Sequence, residues 1–185
     1  MRIVRPIKDV RKIETMKRIL KRQSVRDLLL FVMGINTALR VSDLLTLTVG
    51  DVRDNNGVFR NFVRMKEAKT GKIKEFPLNA AVLKVLKQYV RSGMDDDRFL
   101  FLSAKGGALS RVQAYRILNE AAQRVGLDAI GTHTLRKTFG YHTYRQTKNL
   151  GLVQKLLNHS SSVDTLRYIG IEQEDMDAAY LQLNL

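Results

Sequence analysis

The segment from Thr132 to Arg145, THTLRKTFGYHTYR, carries an imidazole and a guanidinium three positions apart, His133 and Arg136. At helical spacing they share one face about a turn apart and can donate several hydrogen bonds to one anion. Such a pair alone suits a solvated helix edge equally well. Arg40 lies in the apolar stretch GINTALRVSDLLTL, so its guanidinium must meet a negative charge or its burial is costly. Asp43, three residues on, is one such partner, and a plain Arg40–Asp43 ion pair explains the segment without any chemistry. Lys69, in KEAKTGK, sits beside a turn, where most lysines are simply solvated. His159 falls in KLLNHSSS at the expected end of a helix, and Tyr168 in TLRYIGI suits core packing. Each residue is ordinary by itself.

The balance of charge narrows the ligand. The chain has 185 residues, of which 44% are hydrophobic, enough for one domain with a real core. Its formal net charge is +14. A basic but solvated surface would account for that, yet a polyanion accounts for it better, because cations that neutralise phosphates gain affinity by counterion release. There are no cysteines, which excludes disulfides, thiolate metal sites and thiol nucleophiles. Asp95, Asp96 and Asp97 resemble a metal-binding cluster, but adjacent acids diverge in regular structure, so a solvated loop is expected. Apolar runs fall short of the ~20 residues of a membrane span, and the basic N-terminus lacks the apolar core of a signal peptide. A cytoplasmic protein with no membrane contact is the expectation.

These side chains need elements to hold them. From Lys8 on, Val10, Ile13, Met16 and Leu20 recur at helical spacing among many cations, predicting a basic amphipathic helix within residues 1–23. Ser24 with Asp27 reads as the start of a second helix, and SVRDLLLFVMGINTALR is apolar on nearly all sides, so this helix should be the buried centre, with Arg40 at its end. After a short helical piece, Val63 and Met65 alternate with Arg64 and Lys66, a strand with a basic outer face. Thr70-Gly71 makes the turn, and Lys72 to Pro77 returns as its partner. Asn79 should cap a helix through Val90 that Gly93 stops, and Ser110 with Gln113 should open one running to Val125. Beyond Thr132 helices in short pieces are expected, with Asn158 tolerating a left-handed C-cap. The tail after Ile171 is acidic and holds no cation. The fold class is therefore mainly α with a small antiparallel β-sheet (α+β).

Taken in order, these segments resemble the tyrosine recombinases, the phage integrase family of site-specific DNA recombinases. TALRVSDLLTL resembles the family's first arginine box, with Arg40 as its arginine and Asp43 at the acidic position. AKTGK resembles the hairpin lysine segment through Lys69. HTLRKTF matches the His-x-x-Arg box, and LLNHSSSVDTLRYI the closing box, with His159 in its His/Trp slot and Tyr168 as nucleophile. Asn158 stands where the family usually has glycine. The resemblance covers almost the whole chain and implies the tyrosine-recombinase catalytic-domain fold over 1–185. The N-terminal core-binding domain usual in the family is expected to be absent. The chain would then be a catalytic-domain fragment, a truncated product or a solo protein.

The resemblance also implies a mechanism. A phosphodiester transition state gains negative charge, which many nucleases stabilise with metal ions. Here Arg40 and Arg136 would fork onto the non-bridging oxygens, helped by His159, with no metal or other cofactor. Tyr168, with an ordinary pKa of about 10, needs help in losing its proton. His133 would accept or steer it, and Lys69 would protonate the departing 5′ oxygen. Asp43 would orient Arg40 from behind. Double-stranded DNA would be held through its backbone by Arg60, Arg64, Lys66, Lys72 and the N-terminal helix. The acidic tail, 171–185, would be exchanged between subunits of a homo-oligomer, a tetramer on DNA. A type IB topoisomerase and a truncated, non-catalytic DNA-binding relative are the alternatives.

Overall fold

A computed structural model describes residues 4–69, 71–128, 130–131, 133–171 and 180–183. Helix α1 (Val10–Gln23) starts where the Asp9 carboxylate accepts from the Arg11 amide. It buries Ile13, Met16 and Leu20 against α2 (Val25–Asn36), which Ser24 caps by accepting from the Arg26 amide. Every residue of α2 from Asp27 to Gly34 is buried, so this is the predicted centre. It ends sooner than its apolar run. The Asn36 side-chain amide donates to the Val32 carbonyl, the Thr37 hydroxyl and amide both donate to that of Met33, and Ala38 turns left-handed at φ 56°. Side chains that satisfy the last carbonyls end the helix even though Thr37–Leu39 are buried. Arg40 is therefore the N-cap of the next short helix, α3 (Val41–Leu44), and not the last residue of α2.

After α4 (Val49–Val52), strands β1 (Phe62–Lys66) and β2 (Ile73–Pro77) pair antiparallel, Val63 opposite Phe76 and Lys66 opposite Ile73. Val63 and Phe76 are buried, and Arg64 and Lys66 face out, as the alternation predicted. Arg60 lies outside the sheet, donating to the Gly50 carbonyl, and Lys72 precedes β2. The predicted turn includes Thr70, which lies outside the described residues; Gly71 has φ 67°.

Helix α5 (Ala80–Tyr89) starts at Asn79, and α6 (Arg111–Gln123) at a reciprocal capping box of Ser110 and Gln113. Asp95–Asp97 form an exposed loop in which Asp96 pairs with Arg53 at 2.8 Å. Helix α7 (Thr134–Thr147) is as long as α1, so the expectation of only short pieces holds just for α8 (Leu150–Leu156) and α9 (Ser162–Ile169). Most of the acidic tail lies outside the described residues; Tyr180 to Leu183 are exposed.

Among the described residues, two apolar clusters result. The larger surrounds α2; the smaller joins Ala38, Tyr141, Val153, Leu157 and Ile169, with Tyr168 packed on its edge. Gly140 on α7 lies where this cluster is tightest. A Cβ there would sit 2.7 Å from Ile169 Cγ2 and 3.1 Å from Leu157 Cδ1. Gly140→Ala should push α8 and α9 off α7 and cost about 1–3 kcal/mol, measured as a lower chemical-denaturation midpoint.

Candidate active site

Four separate pieces of chain converge beside α7. Arg40 is only partly buried, and its Nη1 lies 3.1 Å from Glu67 Oε1 and 3.8 Å from Asp43 Oδ2. The carboxylate nearer to it is therefore Glu67, just past β1, and not Asp43. Asp43 is fully buried and accepts from the Ala68 amide at 3.0 Å, which ties the hairpin loop to α3. Glu67 is 3% exposed. The sequence reading missed it, although continuing the alternation Val63, Met65 places position 67 on the inward face.

Lys69 is exposed in this loop and faces a cleft of about 420 Å³ that it shares with Arg40, Ser42, Arg111 and His133. Arg111, the first residue of α6, is a further cation that the sequence reading did not pick out. No local pattern marks it, since only the packing of α6 beside α3 brings it to the cleft.

His133 is the N-cap of α7 and Arg136 lies in its first turn. Arg136 is 3% exposed; its Nη1 donates to the Ala38 carbonyl at 2.8 Å and its Nη2 to that of Leu157. A guanidinium has five N–H groups, so these two bonds leave others for a ligand. Burial lowers its pKa from the ordinary arginine value.

Tyr168 on α9 reaches into the same region. Its hydroxyl lies 3.4 Å from His133 Nδ1, with the positive charge of Arg136 nearby. Its ring stands edge-on to His159, centroids 4.8 Å apart, with Lys137 Nζ over its face at 4.9 Å. Burial raises the phenol above its usual range, while Arg136 and Arg40 pull it back down. His133 moves in the complementary direction: partial desolvation, then Arg136 and Lys137, lower its pKa below 6.5. At neutral pH the imidazole is thus the unprotonated partner of a protonated phenol, the arrangement in which a proton can pass from Tyr168 to His133.

His159 follows Asn158, which adopts the predicted left-handed conformation at φ 52°. Its Nδ1 lies 3.2 Å from the Thr165 hydroxyl, which itself donates to the Ser161 carbonyl at 2.7 Å. With that proton committed, Nδ1 is the donor to Thr165, and Nε2 is left to face a ligand. Burial and the two arginines lower the pKa of His159 as well.

The structure thus groups Arg40, His133, Arg136, His159 and Tyr168, with Lys69 at the cleft wall. The cations assigned to the DNA backbone are not part of this group: Arg64 and Lys66 project from the outer face of β1, and Lys72 lines a neighbouring groove. If His133 takes the phenol proton, the rate of the Tyr168 reaction must fall as pH drops through the lowered pKa of His133, since protonation removes the acceptor. A His133→Ala variant should be slower and lack that acid limb, which a pH–rate profile carried below the ordinary histidine pKa of ~6.5 would read.

Residues 8–174 match the phage integrase family. The chain is 44% identical over 181 residues to the probable integrase/recombinase YoeC of Bacillus subtilis (strain 168), covering 97% of each. It is 28% identical over 170 residues to the tyrosine recombinase XerA of Pyrococcus furiosus, covering 90% of this chain and 58% of XerA. Among solved structures, an XerA recombinase superposes with a TM-score of 0.75 at 18% identity, over 97% of this chain and 66% of that one. XerH in a post-cleavage complex with a palindromic difH substrate gives 0.72 at 22% identity, over 96% and 53%. The chain thus spans nearly all of YoeC but only half to two thirds of the Xer proteins. The structural likenesses show the fold, the named relatives favour neither the topoisomerase nor the non-catalytic alternative, and the chain belongs to the phage integrase family: it is a tyrosine recombinase, of the DNA breaking and rejoining class.

Proposed function

We propose that Tyr168 cleaves double-stranded DNA by attacking a backbone phosphodiester. The observation that carries this reading is the Tyr168 hydroxyl, 3.4 Å from an imidazole and under the field of two arginines. The phenol proton passes to His133 and the phenolic oxygen forms a bond to phosphorus. The bond to the 5′ oxygen breaks, and Lys69 supplies the proton that leaves with it. Arg40 and Arg136 hold the non-bridging oxygens, His159 adds a bond from Nε2 once that nitrogen carries a proton, and Asp43 steadies the loop behind Arg40. A 3′-phosphotyrosyl link keeps the bond energy, so rejoining to another strand needs neither ATP nor metal.

Arg60, Arg64, Lys66, Lys72 and α1 grip the DNA backbone around the cleft, without reading sequence. The 185 residues act as one catalytic domain, in the cytoplasm, and assemble as a tetramer on DNA through the exchanged acidic tail, 171–185. If trimming the chain after Ile169 leaves DNA-dependent assembly unchanged, the tail has no such part.

The test is covalent trapping. Nicked duplexes with a randomised centre, incubated with the protein in EDTA, should yield a detergent-stable adduct whose peptide contains Tyr168; its DNA reports the preferred sequence. DNA retention without any adduct would instead indicate a binding module.

A further inference from the structure

A second hairpin lysine, Lys74, takes no part in the scheme above, yet it is bound to the two loops that the scheme depends on. It lies on β2 opposite Met65, half-buried at the edge of a groove of about 280 Å³ between β2 and the end of α8. Its Nζ donates to the Ala38 carbonyl at 3.4 Å and to that of Leu156 at 3.3 Å. Arg136 donates to the same Ala38 carbonyl and to that of Leu157, the next residue along. Two cations from different elements therefore converge on one left-handed peptide, two residues before Arg40, and on adjacent peptides just before Asn158 and His159.

We infer that Lys74 is a positioning residue for the cleavage reaction: with Arg136 it clamps the loop carrying Arg40 to the loop carrying His159, so that both face one phosphate. This inference rests on the reading of Tyr168 as nucleophile. Among the described residues, the clamp spans loops that no local hydrogen bond joins. Ala38 is held in a conformation that costs a non-glycine residue energy, and it needs contacts elsewhere to keep it there. A misplacement of about 1 Å in groups that grip a transition state costs up to roughly 100-fold in rate.

The charge on Lys74 is finely balanced. Burial, Arg136 on α7 and Arg40 beside α3 lower its pKa, while Glu67 beyond β1 and Asp43 on α3 raise it, leaving it at about 8. Lys155 of α8 and Lys72 and Glu75 of its own hairpin line the same groove. The ammonium that makes the clamp is therefore lost within an experimentally accessible range.

The duplex recovered by trapping serves as substrate for the full chain. Lys74→Met, which keeps the length of the side chain and removes its charge, should slow adduct formation about 10- to 100-fold while leaving DNA retention and the thermal transition near those of the unmodified chain. The rate ratio between the two proteins should narrow as pH rises through about 8, because the unmodified chain then loses the same ammonium. The chain has no cysteine, so Lys74→Cys carries a unique thiol, and alkylation with 2-bromoethylamine rebuilds a lysine-like ammonium there. That treatment should recover most of the lost rate. Unimpaired cleavage by Lys74→Met, a pH-independent ratio, or no recovery on alkylation would each overturn the inference alone. Absence of any adduct with the unmodified chain would overturn the Tyr168 reading, and this one with it.

Discussion

Replacing Tyr168 with phenylalanine is expected to abolish the covalent adduct while leaving DNA retention intact. The substitution removes one oxygen. The ring stays against His159 and beneath Lys137, and the apolar edge it covers stays covered. The lost hydroxyl makes a long contact to His133, so the fold should be barely altered. The chemical loss is large because the chain has no thiol, and a cleft hydroxyl such as that of Ser42, or water, would need its own base and alignment. Losing an enzyme nucleophile typically costs roughly 10⁴-fold or more in turnover. Adduct formation by Tyr168→Phe at even a hundredth of the unmodified rate would show that another residue attacks. Because His133 and the arginines remain, the variant should still hold DNA, which separates loss of chemistry from loss of structure.

Arg136→Lys is expected to be the next most severe change, although it keeps the positive charge. Arg136 does two jobs with one planar group. It donates to the Ala38 and Leu157 carbonyls, and its remaining N–H groups are free to meet a phosphate beside Tyr168. A lysine ammonium offers three donors from one point and cannot span both carbonyls and a phosphate oxygen. The Ala38 carbonyl would keep Lys74 as a donor, but a buried Leu157 carbonyl that loses its donor would cost about 1–3 kcal/mol of fold stability. The transition state would lose a fixed donor, which is worth about 10²–10³ in rate. Single-turnover trapping should therefore show a slow but measurable adduct, and denaturant melts a lowered midpoint. Full activity would mean that charge alone suffices at this position. Arg40→Lys should be milder for the fold, because Arg40 is held by carboxylates rather than by backbone carbonyls.

Much of this molecule was legible in the chain. Caps at Ser24, Asn79 and Ser110 act over two or three residues, so side-chain type and spacing suffice to place them. The alternation of Val63 and Met65 with Arg64 and Lys66 fixed which face of the hairpin turns inward. The candidate set proposed for cleavage, Arg40, Lys69, His133, Arg136, His159 and Tyr168, could be named because each sits in a short recognisable segment. What tertiary structure alone decided is who meets whom. Asp43 looked like the partner of Arg40 because it is near in sequence, but the closing hairpin brings Glu67 nearer. The apolar run into Arg40 looked like one helix, and the break at Ala38 is tolerated because Arg136, far along the chain, satisfies its carbonyl. Arg111 and Lys74 carry no local signature at all. A buried cation takes whichever acceptor the packed chain leaves within a few ångströms, and distance along the sequence has no part in that choice.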